Sequence, residues 1–551
     1  MKPFKLLFIS ALAALSLSAC NLDFSIRISS STSSSSQGAN SSSNSSSATG
    51  SSSSSANSSS SPQQSSSQTS IAPSDVEKTK LTHNMKSIQE YGLYTLSSAP
   101  SVGKAKLLVI PVWFTDSDSF IALANKETVR LDIQDAYFGT PESTGWHSVK
   151  SYYEEESKGR LQIDGTVSEW YSCGKSYKSY GTSDTGGNAT MTLVPNAVNW
   201  YFTNHTDESR KDYDRDGDGY LDGVLLIYAC PDYSCLNKSS YDNLWAYCYW
   251  LQEASYQSTT NPGPNVFFWA SYDFMYSSSR SRTRTGSTSY GGGDTSHCTT
   301  DAHTYIHEMG HVFGLDDYYD YGPNKYSHAG GFSMQDYNVG GHDPYSTLAL
   351  GWTDPYIPTE STTITIGAFQ KTHDLILLSP KFNSYGSPFD EYLLLELYTP
   401  TGLNAMDVQY GYSGGGRGPS STGIRLWHVD ARLTYCTKLD SEGYPVFSMS
   451  NLTSDPERGD SCYGVTPAFS NTVEDEDYGG LSDNYNVLRL VRNNTSAAVH
   501  NKKFIANSDL FGNGSSFSMN TYKSQFYNKT KLNSNVELGW SFSVAISGSG
   551  E

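Results

Sequence analysis

The chain is short of positive charge. Against 56 acidic residues it has 37 lysines and arginines, a formal net charge of −19, and no stretch gathers enough basic groups to neutralise a run of phosphates. Nucleic acid is thereby excluded as a partner. Long apolar runs are also missing. The one candidate, Leu6 to Leu17, is shorter than the roughly 20 residues a membrane-spanning helix needs. Cysteine is scarce, eight in 551 residues.

What is present begins with that short run. Preceded by Lys2 and Lys5, it has the form of a secretory signal, and Leu17-Ser18-Ala19-Cys20 resembles the bacterial lipoprotein box, in which the Cys becomes the lipid-bearing first residue. The expectation is a signal peptide over 1–19 and export to the bacterial cell envelope. Lipid on Cys20 would be the only membrane attachment, at the outer membrane or cell surface, with release to the medium as the alternative. Ser29 to Ser70 is nearly all Ser with Asn, Gln, Thr, Gly and Ala and no charge. Such a run buries too little apolar surface to order itself, so 20–74 is expected to be anchor and disordered tether, with an r.m.s. span of roughly 35 Å.

The folded part is expected from about residue 75. Lys106 to Phe114 predicts a buried strand, Ser148 to Ser157 a helix, and Leu161 to Trp170 a strand. Only about thirty residues precede the first of these, little for an inhibitory prosegment with its own fold. The run from Asp212 through Asp222 places carboxylates at alternate positions around Gly217, like the first half of an EF-hand loop. Position twelve is Gly223 instead of Glu, and Val224 to Tyr228 predicts a strand where an EF-hand has a helix. The expected Ca2+ ligands are Asp212, Asp214, Asp216 and Asp222, with an acidic surface turn as the alternative. Beyond Cys20, seven cysteines remain in an exported chain, an odd number; Cys230 with Cys235 and Cys436 with Cys462 are plausible local pairs.

The strongest chemical signal is His307-Glu308-Met309-Gly310-His311. Histidines four apart lie on one helical face and can direct both imidazoles at one metal ion, a zinc-ligand spacing. Glu308 beside them is a candidate general base for a metal-bound water. Gly314 permits the left-handed turn that returns the chain toward the metal, and Asp316, Asp317 and Asp320 are the carboxylates that follow it. His303 extends the same face, but three imidazoles on one straight helix span about 12 Å and cannot all reach one ion. Cys298 is more readily a disulfide partner or buried thiol. Met334, in Gly331-Phe332-Ser333-Met334-Gln335, stands where zincins with a Met-turn place an apolar floor under the metal.

These residues resemble the immune-inhibitor-A-like secreted zinc metallopeptidases. The likeness rests on His307 to Asp317, Met334, Leu348 to Trp352, Lys106 to Phe114 and Ser148 to Trp170, and runs on through Glu391 to Glu396 and Gly423 to Asp430. It implies Zn2+ as cofactor, His307, His311 and Asp317 as ligands, Glu308 as catalytic base and proteins or peptides as substrates. Asp316 would then point elsewhere, for instance to a hydrogen bond that orients an imidazole. Tyr337 is a candidate oxyanion stabiliser, with a core or surface tyrosine as the alternative. After Trp352 the strands Thr362 to Ile366, Leu375 to Leu378, Tyr392 to Leu397, Ile424 to Val429 and a tail through Ile546 predict a β-rich, sandwich-like region. The expected fold is α+β, with a zincin-type catalytic domain over 75–355 and the β-rich region over 356–551. The rival reading is a surface lipoprotein that binds polysaccharide and carries a vestigial zinc site. Closed structural sites, however, normally have four protein ligands and no use for Glu308.

Overall fold

The computed structural model describes residues 23–30, 76–82, 84–86, 97–234, 236, 238–276, 300–337, 339–409, 416–458, 464–472, 480–482 and 484–547. Cys20, Cys235, Cys298 and Cys462 lie outside them. Among the described residues no helix is long and apolar enough to cross a membrane.

After a first strand β1 (Asp23–Ser30), which belongs to a sheet of the second half, the chain builds one sheet from β2 (Gly103–Trp113), β3 (Leu161–Val167), β4 (Tyr171–Ser172), β5 (Val224–Tyr228), β6 (Tyr247–Trp250) and β7 (Val266–Ser271). The order is β3-β2-β5-β7-β6, with β4 also beside β2. All neighbours are parallel except β6, which runs antiparallel to β7 at the edge. A parallel sheet needs cover on both faces, and the alternation of the strand residues supplies two cores. Leu107, Val109, Leu225, Ile227, Phe268 and Ala270 face one, packed under the helices α1 (Lys126–Phe138), α2 (Val149–Glu156) and α4 (His303–Val312). Leu108, Ile110, Val224, Leu226, Phe267 and Trp269 face the other, covered by α3 (Ser183–Asn204). Helix α2 starts where Ser148 caps it: the Ser148 and Ser151 side chains each accept from the other's backbone N–H.

The second half holds β8 (Thr362–Ile366), β9 (Leu375–Leu378), β10 (Glu391–Tyr398), β11 (Gly423–Asp430), β12 (Leu433–Tyr435), β13 (Leu452–Thr453), β14 (Val465–Pro467), β15 (Leu488–Val491), β16 (Ser516–Ser518) and β17 (Trp540–Ser547). They form two four-stranded antiparallel sheets, β15-β11-β10-β9 and β16-β17-β1-β8, and a small sheet β13-β12-β14. Strands β10 and β11 are buried on both faces. Leu393, Leu395, Ile424 and Leu426 pack with Ile364 and Ile366 of the other large sheet, while Tyr392, Leu394, Trp427 and Val429 join the core of the first half. That core therefore continues past residue 355.

Two expectations need correction. Residues 23–30 are not tether: the alternation of Phe24, Ile26 and Ile28 buries all three, and β1 lies between β17 and β8. Cys230 does not pair with Cys235. It is a free, buried thiol at the end of β5, and its carbonyl accepts the Ser271 hydroxyl at 2.6 Å. Cys173 and Cys248 are free as well, whereas Cys436 is disulfide-bonded to a cysteine outside the described residues.

Candidate metal centre

Helix α4 is held on the first sheet by tyrosines. Tyr153 donates to the Ile306 carbonyl at 2.7 Å and Tyr305 to the Ser271 carbonyl at 2.8 Å, both from buried hydroxyls. The helix ends in a Schellman turn: Gly314 N–H donates to His311 O at 2.9 Å and Leu315 N–H to Gly310 O at 3.0 Å, with Gly314 at φ 101°. This reverses the chain and brings Asp317 back onto the helix face. A second glycine, Gly310, lets the segment after Met334 lie against α4; a Cβ there would sit 2.1 Å from Gln335 Oε1.

Both histidines are fixed through Nδ1. His307 Nδ1 lies 2.8 Å from the Met334 carbonyl and His311 Nδ1 2.8 Å from the Leu315 carbonyl, which leaves each Nε2 as the ligating atom. The Nε2 atoms are 3.3 Å apart, and Asp317 Oδ1 lies 2.9 Å from that of His307 and 3.4 Å from that of His311. Ligands held tetrahedrally at about 2.0–2.1 Å from one ion are separated by about 3.3 Å, so these three atoms are spaced to share a zinc-sized cation. The buried Asp317 Oδ1 has no hydrogen-bond donor of its own, as a ligand atom requires. Its other oxygen, Oδ2, accepts the Tyr321 hydroxyl. Burial disfavours the Asp317 charge, but His311 and His307 together hold the carboxyl well below the usual carboxylate range. The donor set thus fits a divalent metal ion.

Glu308 is buried one residue from the first ligand. Burial raises its carboxyl above the ordinary value, the histidines pull it down and Asp317 pushes it up, which places all four groups within electrostatic reach of one another.

Asp320 and His303 have other partners. Asp320 accepts the backbone N–H of Gly322 and of Tyr326, both at 2.8 Å, and so shapes the next turn. Asp316 orients neither imidazole, because backbone carbonyls do so; burial pushes its carboxyl up to about 6. His303 is hydrogen-bonded to Asp301 at 2.6 Å and stacks flat on Trp146 at 4.0 Å. Tyr337, 41 % exposed, packs its ring edge-on against Phe504. Two other tyrosines adjoin the centre: Tyr321 on Asp317, and Tyr319, whose ring stacks toward His307 at 6.4 Å. Their only sequence signal is their position, two and four residues beyond Asp317.

Residues 99–334 match the catalytic domain of the immune inhibitor A peptidase M6 family, a span that takes in α4, the Gly314 turn and Met334. This region is similar to an M6 peptidase catalytic domain. No curated protein sequence matches the chain. That family is one of metallopeptidases, and within the matched region the His307, His311 and Asp317 cluster could hold a metal ion.

The acidic loop is registered differently from the expectation. Asp214, Asp216 and Asp218 come together, each within 4.8 Å of the others through one oxygen, without Asp212 or Asp222. Asp212 belongs to the helical turn Arg210–Tyr213 before the loop. Asp222 is buried and accepts the N–H of Lys106 at 2.7 Å and of Arg215 at 2.8 Å, tying the loop to β2. The D-x-D-x-D-G pattern starts at Asp214 and puts Gly219, at φ 91°, at the sharp turn.

Proposed function

We propose that the protein is an exported zinc endopeptidase, lipid-anchored through Cys20, that hydrolyses peptide bonds of extracellular proteins. The observation that carries this reading is the tetrahedral spacing of His307 Nε2, His311 Nε2 and Asp317 Oδ1 with Glu308 buried beside them. Zinc bound there would supply Lewis acidity toward the scissile carbonyl and an open fourth position. The chain's own part is proton handling. Glu308 takes a proton from the attacking water and delivers it to the departing amine nitrogen, which must leave as a neutral group. Burial of Glu308 favours this exchange, because a carboxyl raised from its ordinary range holds a transferred proton longer. An aspartate ligand leaves the centre one positive charge below a three-histidine site, so more of the water activation falls to Glu308. Met334 supports the centre twice: its carbonyl orients His307 and its side chain is fully buried.

The test is incubation of the purified full chain with a mixed protein digest, with and without a chelator, and mapping of new peptide termini. New termini are expected, lost with the chelator and restored by zinc; their absence with zinc bound would sink the reading.

The loop of Asp214, Asp216 and Asp218 is a candidate structural Ca2+ site, supported by the oxygen-only donor set and a buried Asp214 oxygen with no hydrogen-bond partner. Calcium removal with zinc retained should lower the melting temperature, and an unchanged melting curve would dispose of the site.

A further inference from the structure

Strand β1 is an interior strand of its sheet. It pairs with β17 along all eight residues, from Asp23 opposite Ser547 to Ser30 opposite Trp540, and with β8 from Phe24 opposite Ile366 to Ile28 opposite Thr362. Phe24, Ile26 and Ile28 are buried in the core between the two large sheets. Without β1, strand β8 and the β16–β17 pair would share no neighbour.

The chain reappears at Val76, which packs against that same core. Lys78 then bridges to Tyr356 and pairs with Asp374 at 2.7 Å, and Thr79 N–H donates to the Pro355 carbonyl at 2.7 Å. Both ends of residues 31–75 therefore sit on one body. The Ser-rich run leaves that body and returns to it, and separates nothing from it. Cys20, by contrast, is three residues from Asp23, at most about 11 Å of extended chain.

We propose that β1 is a clasp that fastens the anchor to the C-terminal sheet, so that a lipid surface holds the enzyme at the Asp23 end of that sheet, even when the chain is cut within 31–75. The membrane part of this rests on the reading of Cys20 as lipidated. The clasp itself rests on the pairing of β1 with β17 and β8. Cleavage of the Ser-rich run would then produce a two-chain enzyme still on its membrane, where a tethered domain would be shed.

The experiment places a site-specific protease sequence between Gly50 and Ser51 of the full chain and cuts it to completion. The mass of the N-terminal fragment reports acylation of Cys20, and an unmodified Cys20 would overturn the membrane part alone. In detergent, the fragment carrying β1 is expected to co-elute with the body on gel filtration; separation of the two would overturn the clasp whatever Cys20 carries. On membranes, the cut body is expected to pellet in the same fraction as the uncut protein. Its release in proportion to cleavage, with the acylated fragment left behind, would also overturn the clasp. Ile26→Asp in the same background should convert retention into release after cutting, and retention of a cut, folded Ile26→Asp body would show that something other than β1 holds it.

Discussion

Replacing Glu156 by Gln should protect the protein against alkaline loss of stability. Glu156 closes helix α2, fully buried; its Oε1 accepts the His342 backbone N–H at 2.9 Å, while Oε2 has no hydrogen-bond partner. Burial pushes its carboxyl up to about 8, against the opposing pull of Lys158 and the His342 N–H, from an ordinary value of 4.5. Between those two values the folded chain holds a proton that the unfolded chain has released. Stability from this group is therefore complete below pH 4.5 and falls as pH rises, by about 1.4 kcal/mol per pH unit, to a limit of about 5 kcal/mol at pH 8 and above. Water entering on ionisation would reduce that limit, so several kcal/mol is the expected size. Gln keeps the acceptor for His342 and never ionises. Urea unfolding of both proteins at pH 5, 7 and 9 reads the effect: the stability of Glu156→Gln relative to the parent should rise steadily with pH. A difference constant across that range, or one falling with pH, would refute the assignment of a buried neutral carboxyl.

Tyr321→Phe removes the hydroxyl that occupies Asp317 Oδ2 and should weaken zinc binding about 10- to 100-fold in chelator competition, with the melting curve little changed; unchanged affinity would deny that hydroxyl a role. Asp317→Ala should abolish tight zinc binding while Asp316→Ala and Asp320→Ala retain it, and metal titration showing the reverse for Asp316 would reassign the ligand. Asp320→Ala should still cost about 1–3 kcal/mol in urea unfolding, because two backbone N–H groups lose their acceptor.

Legibility followed local chemistry. Val224–Tyr228, Thr362–Ile366 and Leu375–Leu378 could be read to the residue, because unbroken apolar or β-branched runs bounded by turns leave few alternatives. Helix α4 and its turn were legible because ligand spacing and a glycine stop are both short-range features. Helix α3 was not, since it carries Gly187 and Pro195 within its length and owes its stability to packing on the sheet. Strand β1 was hidden by its neighbour: Phe24, Ile26 and Ile28 alternate clearly, but a serine run follows at once and the partners lie more than 300 residues away. The acidic loop has five carboxylates in eleven residues, so several registers fit by spacing, and only the burial of Asp222 under two N–H donors removes it from the set. Tyr319 and Tyr321 illustrate the remaining limit, since a side chain that supports a ligand has no pattern of its own.

The most direct measurement pairs zinc stoichiometry with turnover in Glu308→Gln. Gln preserves the size of the side chain and removes the ability to take a proton, so the variant should bind one zinc per chain like the parent and lose about 10²- to 10⁴-fold in peptide-bond hydrolysis. Near-parental hydrolysis by a zinc-loaded Glu308→Gln, or a parent chain that binds no zinc at all, would contradict the assignment of this centre as the one that cleaves peptide bonds.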